Sequence, residues 1–152
     1  MEGQKKMGKT GDGIQGGCQK ILVFGNTLVE EDSLALKLLP KLRKAFKGIE
    51  FKEFDTSENL EEEGRDLIIL DTAFGIEKVT LIDDLDSLQM SKTCSMHDFD
   101  LPITLRILMK LKAIDSVKII AIPAGYPLGK AVKESKEIIG MLENPHTAPA
   151  VL

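Results

Sequence analysis

Short apolar runs alternate with amphipathic stretches along most of this chain. Residues 20–24, 66–70 and 116–122 are nearly continuous apolar runs, which predict strands buried on both faces of a sheet. Residues 49–54 alternate in polarity, as a strand nearer the sheet edge would, and residues 78–82 form a weaker strand candidate. We therefore expect a sheet of about five strands.

Three further stretches carry apolar residues at helical spacing, namely residues 35–46, 99–113 and 128–142. Pro40 lies inside the first, and an interior proline costs about 3 kcal/mol, so we expect a kink or a division into two pieces there. The apolar face of the second helix is predicted to carry Leu101, Leu105, Leu108, Met109 and Lys112.

The alternation of strands and helices predicts an α/β fold, a three-layer sandwich whose central, mostly parallel sheet is flanked by helices. With 152 residues, 43% of them hydrophobic, the chain fits one domain, which we place at residues 20–142. Residues 1–19, rich in glycine and lysine, are predicted to be a flexible tail, and residues 143–152 a C-terminal tail. Residues 83–96 show no periodicity, and irregular segments of that length commonly carry function.

Charge and cysteine content narrow the functional classes. The net charge of -4 opposes a nucleic-acid surface, because phosphate binding needs a basic face. Cys18 and Cys94 form no C-x-x-C pair, so we predict neither a disulfide framework nor a cysteine zinc site, and we expect a reducing cytoplasm. No stretch has the apolar length of a signal peptide or membrane span. The basic residues of the first helix predict only a solvated face: Lys37, Lys41, Arg43, Lys44 and Lys47.

Polar groups stand at the ends of several predicted elements. Asp71 follows the run of residues 66–70, Asn26 and Asp32 follow the first strand, and His97 precedes the second helix. In an open parallel sheet, ligands bind outside the carboxyl ends of the strands, so these groups can share one crevice. One imidazole and two carboxylates can hold nickel or zinc with positions left open, and the helix after His97 favours the neutral ring that coordination requires.

Each of these side chains also has a simpler interpretation. Asp32, like Ser33 beside it, can cap the helix that follows. Asp71 can accept hydrogen bonds from a loop, and His97 can be a turn residue with its hydrogen bonds satisfied. The residues taken singly leave both interpretations open.

Taken together, three motifs resemble the nickel-iron hydrogenase maturation endopeptidases. They are FGNTLVEED at residues 24–32, LIILDTA at residues 67–73, and SMHD at residues 95–98 with the leucine-rich helix after it. The family has a G-N-x-L-x-x-D-[DE] motif after the first strand, an aspartate ending the third strand and a histidine before a later helix. By position, the resemblance makes the acidic ligand Asp32, the second carboxylate Asp71 and the imidazole His97.

The resemblance implies a peptidase that removes a C-terminal extension from the hydrogenase large-subunit precursor after nickel insertion. The nickel would come with the substrate, and Asp32, Asp71 and His97 would be its ligands and the catalytic residues. Neither an H-E-x-x-H helix nor a G-x-S-x-G elbow occurs, in agreement with a mechanism that uses no serine nucleophile. The metal would polarise the scissile carbonyl or lower the pKa of a water.

The acidic pair departs from the family pattern, which indicates a divergent member. It is Glu31-Asp32, so a shorter side chain occupies the usual ligand position, and Glu30 or Glu31 can reach the ion instead. Asp98 adds a carboxylate beside His97 and can orient its ring.

Two alternatives remain open. A phosphoacceptor receiver domain also keeps an aspartate at the end of the third parallel strand, where Asp71 is predicted. A receiver needs an acidic pair for magnesium after the first strand, however, where Gly25 and Asn26 stand, and the last strand ends at Pro123 without a lysine. The second alternative is a non-catalytic scaffold of the same fold that binds a hydrogenase subunit.

Overall fold

A five-stranded sheet organises the computed structural model, which describes residues 20–25, 33–55, 58–84 and 101–143. Within these residues the strands are β1 Lys20–Val23, β2 Glu50–Glu53, β3 Asp66–Ala73, β4 Thr80–Ile82 and β5 Ser116–Pro123. The α-helices are α1 Leu34–Ala45, α2 Leu101–Lys110 and α3 Leu128–Glu143, and a 3-10 helix covers Leu60–Glu63. The predicted tails were residues 1–19 and 143–152. Glu143 is instead the last residue of α3, and the other tail residues lie outside the described residues.

The strand order is β2-β1-β3-β5-β4. The first four strands in this order are parallel, and β4 alone runs antiparallel, along β5. The predicted mostly parallel sheet of about five strands is confirmed. β2 lies at the edge, as its alternating polarity indicated, and β1 lies inside the sheet between β2 and β3.

Helices cover both faces of the sheet and give the predicted three-layer sandwich. On one face, Val23, Leu70 and Ile120 pack with buried residues of α1 and α3, such as Leu38 and Ile139. The opposite face packs against α2 in a second cluster that includes Leu22, Phe24, Ile69, Leu101 and Leu105. Each fully buried Leu, Ile or Phe side chain contributes about 1.5–3 kcal/mol, so both layers stabilise the sheet. Burial on both faces explains why these strands are continuous apolar runs.

α1 is one continuous helix with Pro40 inside it, so of the two outcomes predicted there, a kink or a division into two pieces, the division does not occur. Pro40 is exposed, whereas Leu38, Leu39 and Leu42 around it are at most 3% exposed. Their burial against the sheet holds the helix together across the missing hydrogen bond. Ser33 occupies the N-cap position, as the sequence suggested, but its side chain makes no capping hydrogen bond.

α2 ends earlier than predicted, and its buried face is narrower. Met109 is 36% exposed, and Lys112 lies beyond the helix with φ of 61°, so neither belongs to the buried face that the spacing predicted. The N–H of Lys112 donates to the carbonyl of Met109 at 3.1 Å, and that of Ala113 donates to the carbonyl of Leu108 at 2.9 Å. This pair of bonds is a Schellman C-cap, with a lysine at the position that glycine usually occupies.

Candidate functional site

Asp71 lies inside β3 rather than after its end. The sequence placed the end of this strand at Leu70, but Asp71 pairs with Ala121 of β5, and the pairing continues to Ala73 and Pro123. β3 is longer than predicted because β5 supplies partners for three further residues, and the apolar run of β3 alone does not reveal this pairing. The Asp71 residue is only 4% exposed. It is therefore a buried acidic residue within a strand.

Asp71 is nevertheless beside the point where the neighbouring strand β1 stops. Val23, the last residue of β1, pairs with Leu70, and the N–H of Phe24 donates to the carbonyl of Leu70 at 2.9 Å. After β1 the chain crosses one face of the sheet in α1 and returns as β2. After β3 it forms β4, then crosses the other face in α2 and returns as β5. Such a reversal between adjacent parallel strands opens a crevice at their carboxyl ends, where α/β proteins bind ligands.

The side chain of Asp71 belongs to the face of the sheet that α2 covers. Side chains alternate along a strand, and Leu67, Ile69 and Ala73 all belong to the α2 cluster. Ala121, the partner of Asp71, lies in the same cluster and leaves space beside the carboxylate because its side chain is small. A carboxylate among apolar side chains needs polar partners or a cation.

A hydrogen bond from the neighbouring backbone orients the Asp71 carboxylate. Its Oδ1 accepts the backbone N–H of Thr72 at 2.8 Å. The carbonyl of Leu70 faces β1. The N–H and carbonyl groups of successive residues point to opposite sides of a strand, so those of Thr72, two residues later, face the same side as those of Leu70. The N–H of Thr72 therefore lies beyond Val23, the last residue of β1 that pairs with β3. The carboxylate is thereby held beside the point where the ladder between β1 and β3 ends.

The other predicted site residues are close in sequence to described residues. Gly25 precedes Asn26, Ser33 follows Asp32, and Leu101, four residues after His97, is buried in the cluster that includes Ile69 and Ala73. Within the described residues, no three His, Cys, Asp or Glu side chains are grouped so as to hold a metal ion. The convergence of Asp32 and His97 on Asp71 stays a prediction, because these residues lie outside the described part of the chain: Asn26, Glu30, Glu31, Asp32, His97 and Asp98.

Two loops follow β3 and β5 at their carboxyl ends, and Val79 and Tyr126 of these loops pack on the face of the sheet that α1 and α3 cover. They are joined where the N–H of Ala124 donates to the carbonyl of Ala73 at 2.9 Å. The carboxylate of Glu134, on α3, accepts the Tyr126 hydroxyl at 3.0 Å and the backbone N–H of Val79 at 3.1 Å. One carboxylate thus ties both loops to α3. Sequence reasoning missed this link because Val79 and Glu134 are 55 residues apart and share no motif.

These contacts shift the pKa values of Glu134 and Tyr126 in opposite directions. The pKa of Glu134 is lowered, chiefly by the N–H of Val79 and, against the effect of burial, by the Tyr126 hydroxyl and nearby Lys130. The pKa of Tyr126 is raised from its usual 10.0, first by burial and then by its bond to the Glu134 carboxylate. The Nζ of Lys130 also lies 5.2 Å from the centroid of the Tyr126 ring. At neutral pH the contact of Tyr126 with Glu134 therefore pairs a neutral phenol with a carboxylate.

The basic residues of α1 and of the turn after it are exposed, as predicted: Lys37, Lys41, Arg43, Lys44 and Lys47. Arg43 also donates a hydrogen bond to the carbonyl of Phe51 at 2.7 Å.

Solved structures with the same fold include hydrogenase maturation proteases, as the sequence resemblance predicted. A structure described as the hydrogenase 3 maturation protease matches 83% of this chain and 90% of its own, at 19% identity and a TM-score of 0.58. HycI from Thermococcus kodakarensis, described as a [NiFe] hydrogenase maturation protease, matches 85% of this chain and 95% of its own, at 17% identity and a TM-score of 0.55. The endopeptidase HycI from Escherichia coli matches 81% of this chain and 90% of its own, at 17% identity and a TM-score of 0.51.

No family model and no curated protein matches the sequence. At these low identities, the structural matches show that the chain shares the maturation-protease fold.

Proposed function

We propose that this protein is a divergent hydrogenase maturation endopeptidase that removes a C-terminal extension from the nickel-loaded large subunit of a nickel-iron hydrogenase. The observation that carries the proposal is the buried Asp71 carboxylate, held by Thr72 at the crevice where β1 ends and β3 continues. Its position agrees with the aspartate of the family motif, and the shared fold supports the same assignment.

In this proposal Asp71, Asp32 and His97 bind the nickel that the precursor carries. Carboxylate and imidazole donors suit nickel, and a bound nickel supplies Lewis-acid activation of the scissile carbonyl or of a water. The hydrogen bond from Thr72 fixes the orientation of the Asp71 carboxylate, so less reorganisation is needed when the precursor arrives. The apolar surroundings of Asp71, Ile69 and Ala73 among them, strengthen its attraction for a cation.

The sheet topology opposes the receiver alternative. A flavodoxin-like receiver has five parallel strands in the order 2-1-3-4-5. Here the order is 2-1-3-5-4, and β4 is antiparallel to β5. No observation on the described residues favours the scaffold alternative over the peptidase.

The partner of this proposal is the hydrogenase large-subunit precursor, and the nickel enters with it. Cytoplasmic location stays a prediction from the two isolated cysteines. Among the described residues, no helix has the length and apolar character needed to span a membrane.

The proposal is tested by following the mass of the nickel-loaded precursor during incubation with the protein. The wild type is expected to shorten it, whereas Asp32→Ala, Asp71→Ala and His97→Ala are expected to leave it intact. Glu30→Ala and Glu31→Ala show whether either glutamate replaces Asp32. Unchanged cleavage by the first three variants would refute the site. Binding of the precursor by the wild type without cleavage would favour the scaffold.

A further inference from the structure

The pairing of β1 with β3 stops one residue earlier than the register of the two strands allows. Val23 pairs with Leu70, and the N–H of Phe24 donates to the carbonyl of Leu70 at 2.9 Å, so Phe24 is still in register with β3. In a parallel ladder the bonds are evenly spaced, so the next one would join the N–H of Thr72 to the carbonyl of Phe24. Among the described residues, the pairing of β1 with β3 ends before that bond.

The Asp71 carboxylate takes the place of the Phe24 carbonyl in this ladder. Its Oδ1 accepts the N–H of Thr72 at 2.8 Å, and this is the N–H that faces the β1 side. A hydrogen bond to a carboxylate is about twice as strong as one to a neutral carbonyl, so Asp71 has the advantage in competition for the N–H. Thr72 is only 3% exposed, so its N–H would be left unpaired away from water if it had neither acceptor.

Phe24 is held where its carbonyl can reach β3. Its ring is fully buried and stacks on the ring of Phe54, with 5.1 Å between the two centroids. The N–H of Phe54 donates to the carbonyl of Val23 at 2.9 Å, so the pairing of β1 with β2 continues beside Phe24. Only the peptide group after Phe24 has to turn for its carbonyl to bond Thr72. Gly25 supplies the next backbone angles, and a glycine can take up such a turn because it has no side chain.

We propose that Asp71 is also a positioning residue: by binding the N–H of Thr72, its carboxylate keeps the end of β1 from pairing further with β3 and so sets the course of the chain that leaves β1 at Gly25. Without the carboxylate, the N–H of Thr72 would bond the carbonyl of Phe24, and β1 would pair with β3 for one residue more. The consequence for cleavage rests on the proposed function, in which this chain carries Asp32 to the nickel. Asp71→Ala would then remove one nickel ligand and also shift the chain that carries another.

Asp71→Asn and Asp71→Leu separate the two hydrogen-bond arrangements. Asparagine and leucine have similar branched shapes, but only asparagine keeps an oxygen that can accept the N–H of Thr72. NMR scalar couplings across hydrogen bonds, measured on the isotope-labelled full chain without precursor, identify the acceptor. We expect the Thr72 nitrogen to couple to the terminal side-chain carbon of residue 71 in the wild type and in Asp71→Asn, and to the carbonyl carbon of Phe24 in Asp71→Leu. The amide signal of Gly25, which belongs to the peptide group that turns, is expected to shift in Asp71→Leu and to stay near its wild-type position in Asp71→Asn.

Asp66→Ala is the matched control, because Asp66 lies at the other end of β3 and accepts the hydroxyl of Ser116 at 2.8 Å. It is expected to leave the couplings and the solvent exchange of the Thr72 amide unchanged. In Asp71→Leu the Thr72 amide is expected to stay protected from exchange, since it trades one acceptor for another. Asp71→Ala, which does not fill the site with a larger apolar side chain, is measured in parallel with the same expectation. The Tm of each variant shows that it folds.

Two results would overturn the positioning role. One is a Thr72 amide in folded Asp71→Leu and Asp71→Ala that shows no coupling to Phe24 and exchanges about fivefold faster than in the wild type or more, as the loss of a hydrogen bond would cause. The chain after Phe24, and not Asp71, would then end β1. The other is a coupling between Thr72 and Phe24 already present in the wild type. Because no precursor is used, the test is separate from the proposed function: a wild type that shows the expected couplings but does not cleave would refute the peptidase and leave the positioning role standing.

Discussion

The Oδ1 of Asp71 accepts the backbone N–H of Thr72, its own neighbour in β3, at 2.8 Å. This bond occurs where the ladder with β1 stops, because the last pair of that ladder joins Val23 to Leu70. A buried carboxylate without partners would cost several kcal/mol, so the bond helps to keep Asp71 in place before any ligand arrives. The fold thus provides a preoriented carboxylate at the crevice.

The link between Tyr126 and Glu134 predicts a high ionisation midpoint for the phenol. Tyr126 is the only tyrosine and the chain has no tryptophan, so ultraviolet absorbance reports this one group. We expect its midpoint to lie above 10.0 because burial and the Glu134 carboxylate both disfavour the phenolate. In Glu134→Gln the midpoint is expected to move down, but not fully to 10.0, since burial remains.

Glu137→Gln is the control for this titration, because Glu137 is an exposed carboxylate on the same helix. In Glu137→Gln the ionisation midpoint of Tyr126 is expected to equal that of the wild type. Circular dichroism is used to show that each variant keeps its fold. Equal midpoints in Glu134→Gln and the wild type would contradict the link.

The ion pairs of Glu63 are expected to contribute less to the free energy of unfolding in acid than at neutral pH. Its carboxylate bonds Lys20 at 2.7 Å on β1 and Lys52 at 2.6 Å on β2. Burial alone would raise the pKa of Glu63, but the two lysine bonds outweigh it and lower the pKa below 4.5. A lowered folded-state pKa gives stability that is present above the unfolded value and is lost as pH falls through the folded value.

Urea unfolding at several pH values tests this contribution. Between about pH 7 and about pH 3, the free energy of unfolding is expected to fall more in the wild type than in Glu63→Gln, and the two are expected to converge at the acid end. Glu61→Gln, an exposed neighbour on the same 3-10 helix, should follow the wild type. Parallel curves for the wild type and Glu63→Gln would exclude the contribution.

Arg43 protects the edge strand β2. Its Nη2 donates to the carbonyl of Phe51 at 2.7 Å. The N–H of Phe54 bonds Val23 of β1, so by alternation the carbonyl of Phe51 faces outward, where an exposed edge can pair with another chain. Arg43→Ala is expected to lower the free energy of unfolding by about 1 kcal/mol and to increase self-association.

Denaturant unfolding and light scattering over a range of concentrations measure these two effects. Lys44→Ala removes the next cation along α1 and is expected to change neither quantity, because Lys44 lies on the exposed face. If Arg43→Ala behaved like Lys44→Ala, Arg43 would have no role at the edge.

The pattern of apolar and polar residues predicted most of the strands. The buried runs gave β1 and β5 nearly to the residue, and the weaker candidate at residues 78–82 became the short strand β4. The extension of β3 past Leu70 was missed, because it depends on pairing with β5, about 50 residues away in sequence. Lys112 was misplaced because a C-cap of α2, and not the helical period, fixes its conformation.

In the candidate site, too, some features were visible in the sequence and others were not. A carboxylate at the end of an apolar run is visible in the sequence, and in the structure Asp71 lies beside the last residue pair of β1 and β3, although within β3 rather than after it. The contact of Glu134 with Val79 was not visible, since it joins a helix to a loop through a backbone N–H that any residue except proline would provide.

In the proposed function the Asp71 carboxylate acts on the precursor, and the variant Asp71→Asn isolates the contribution of its charge. Asparagine keeps the size of the side chain and an oxygen that can accept the N–H of Thr72, but it removes the negative charge. Mass spectrometry of the nickel-loaded precursor in a single turnover, with Tm measured in parallel, compares this variant with the wild type. Asp71→Asn is expected to fold and to cleave at least about 100-fold more slowly, a loss of about 2.7 kcal/mol in transition-state stabilisation. Cleavage at the wild-type rate by the folded variant would contradict this role of Asp71.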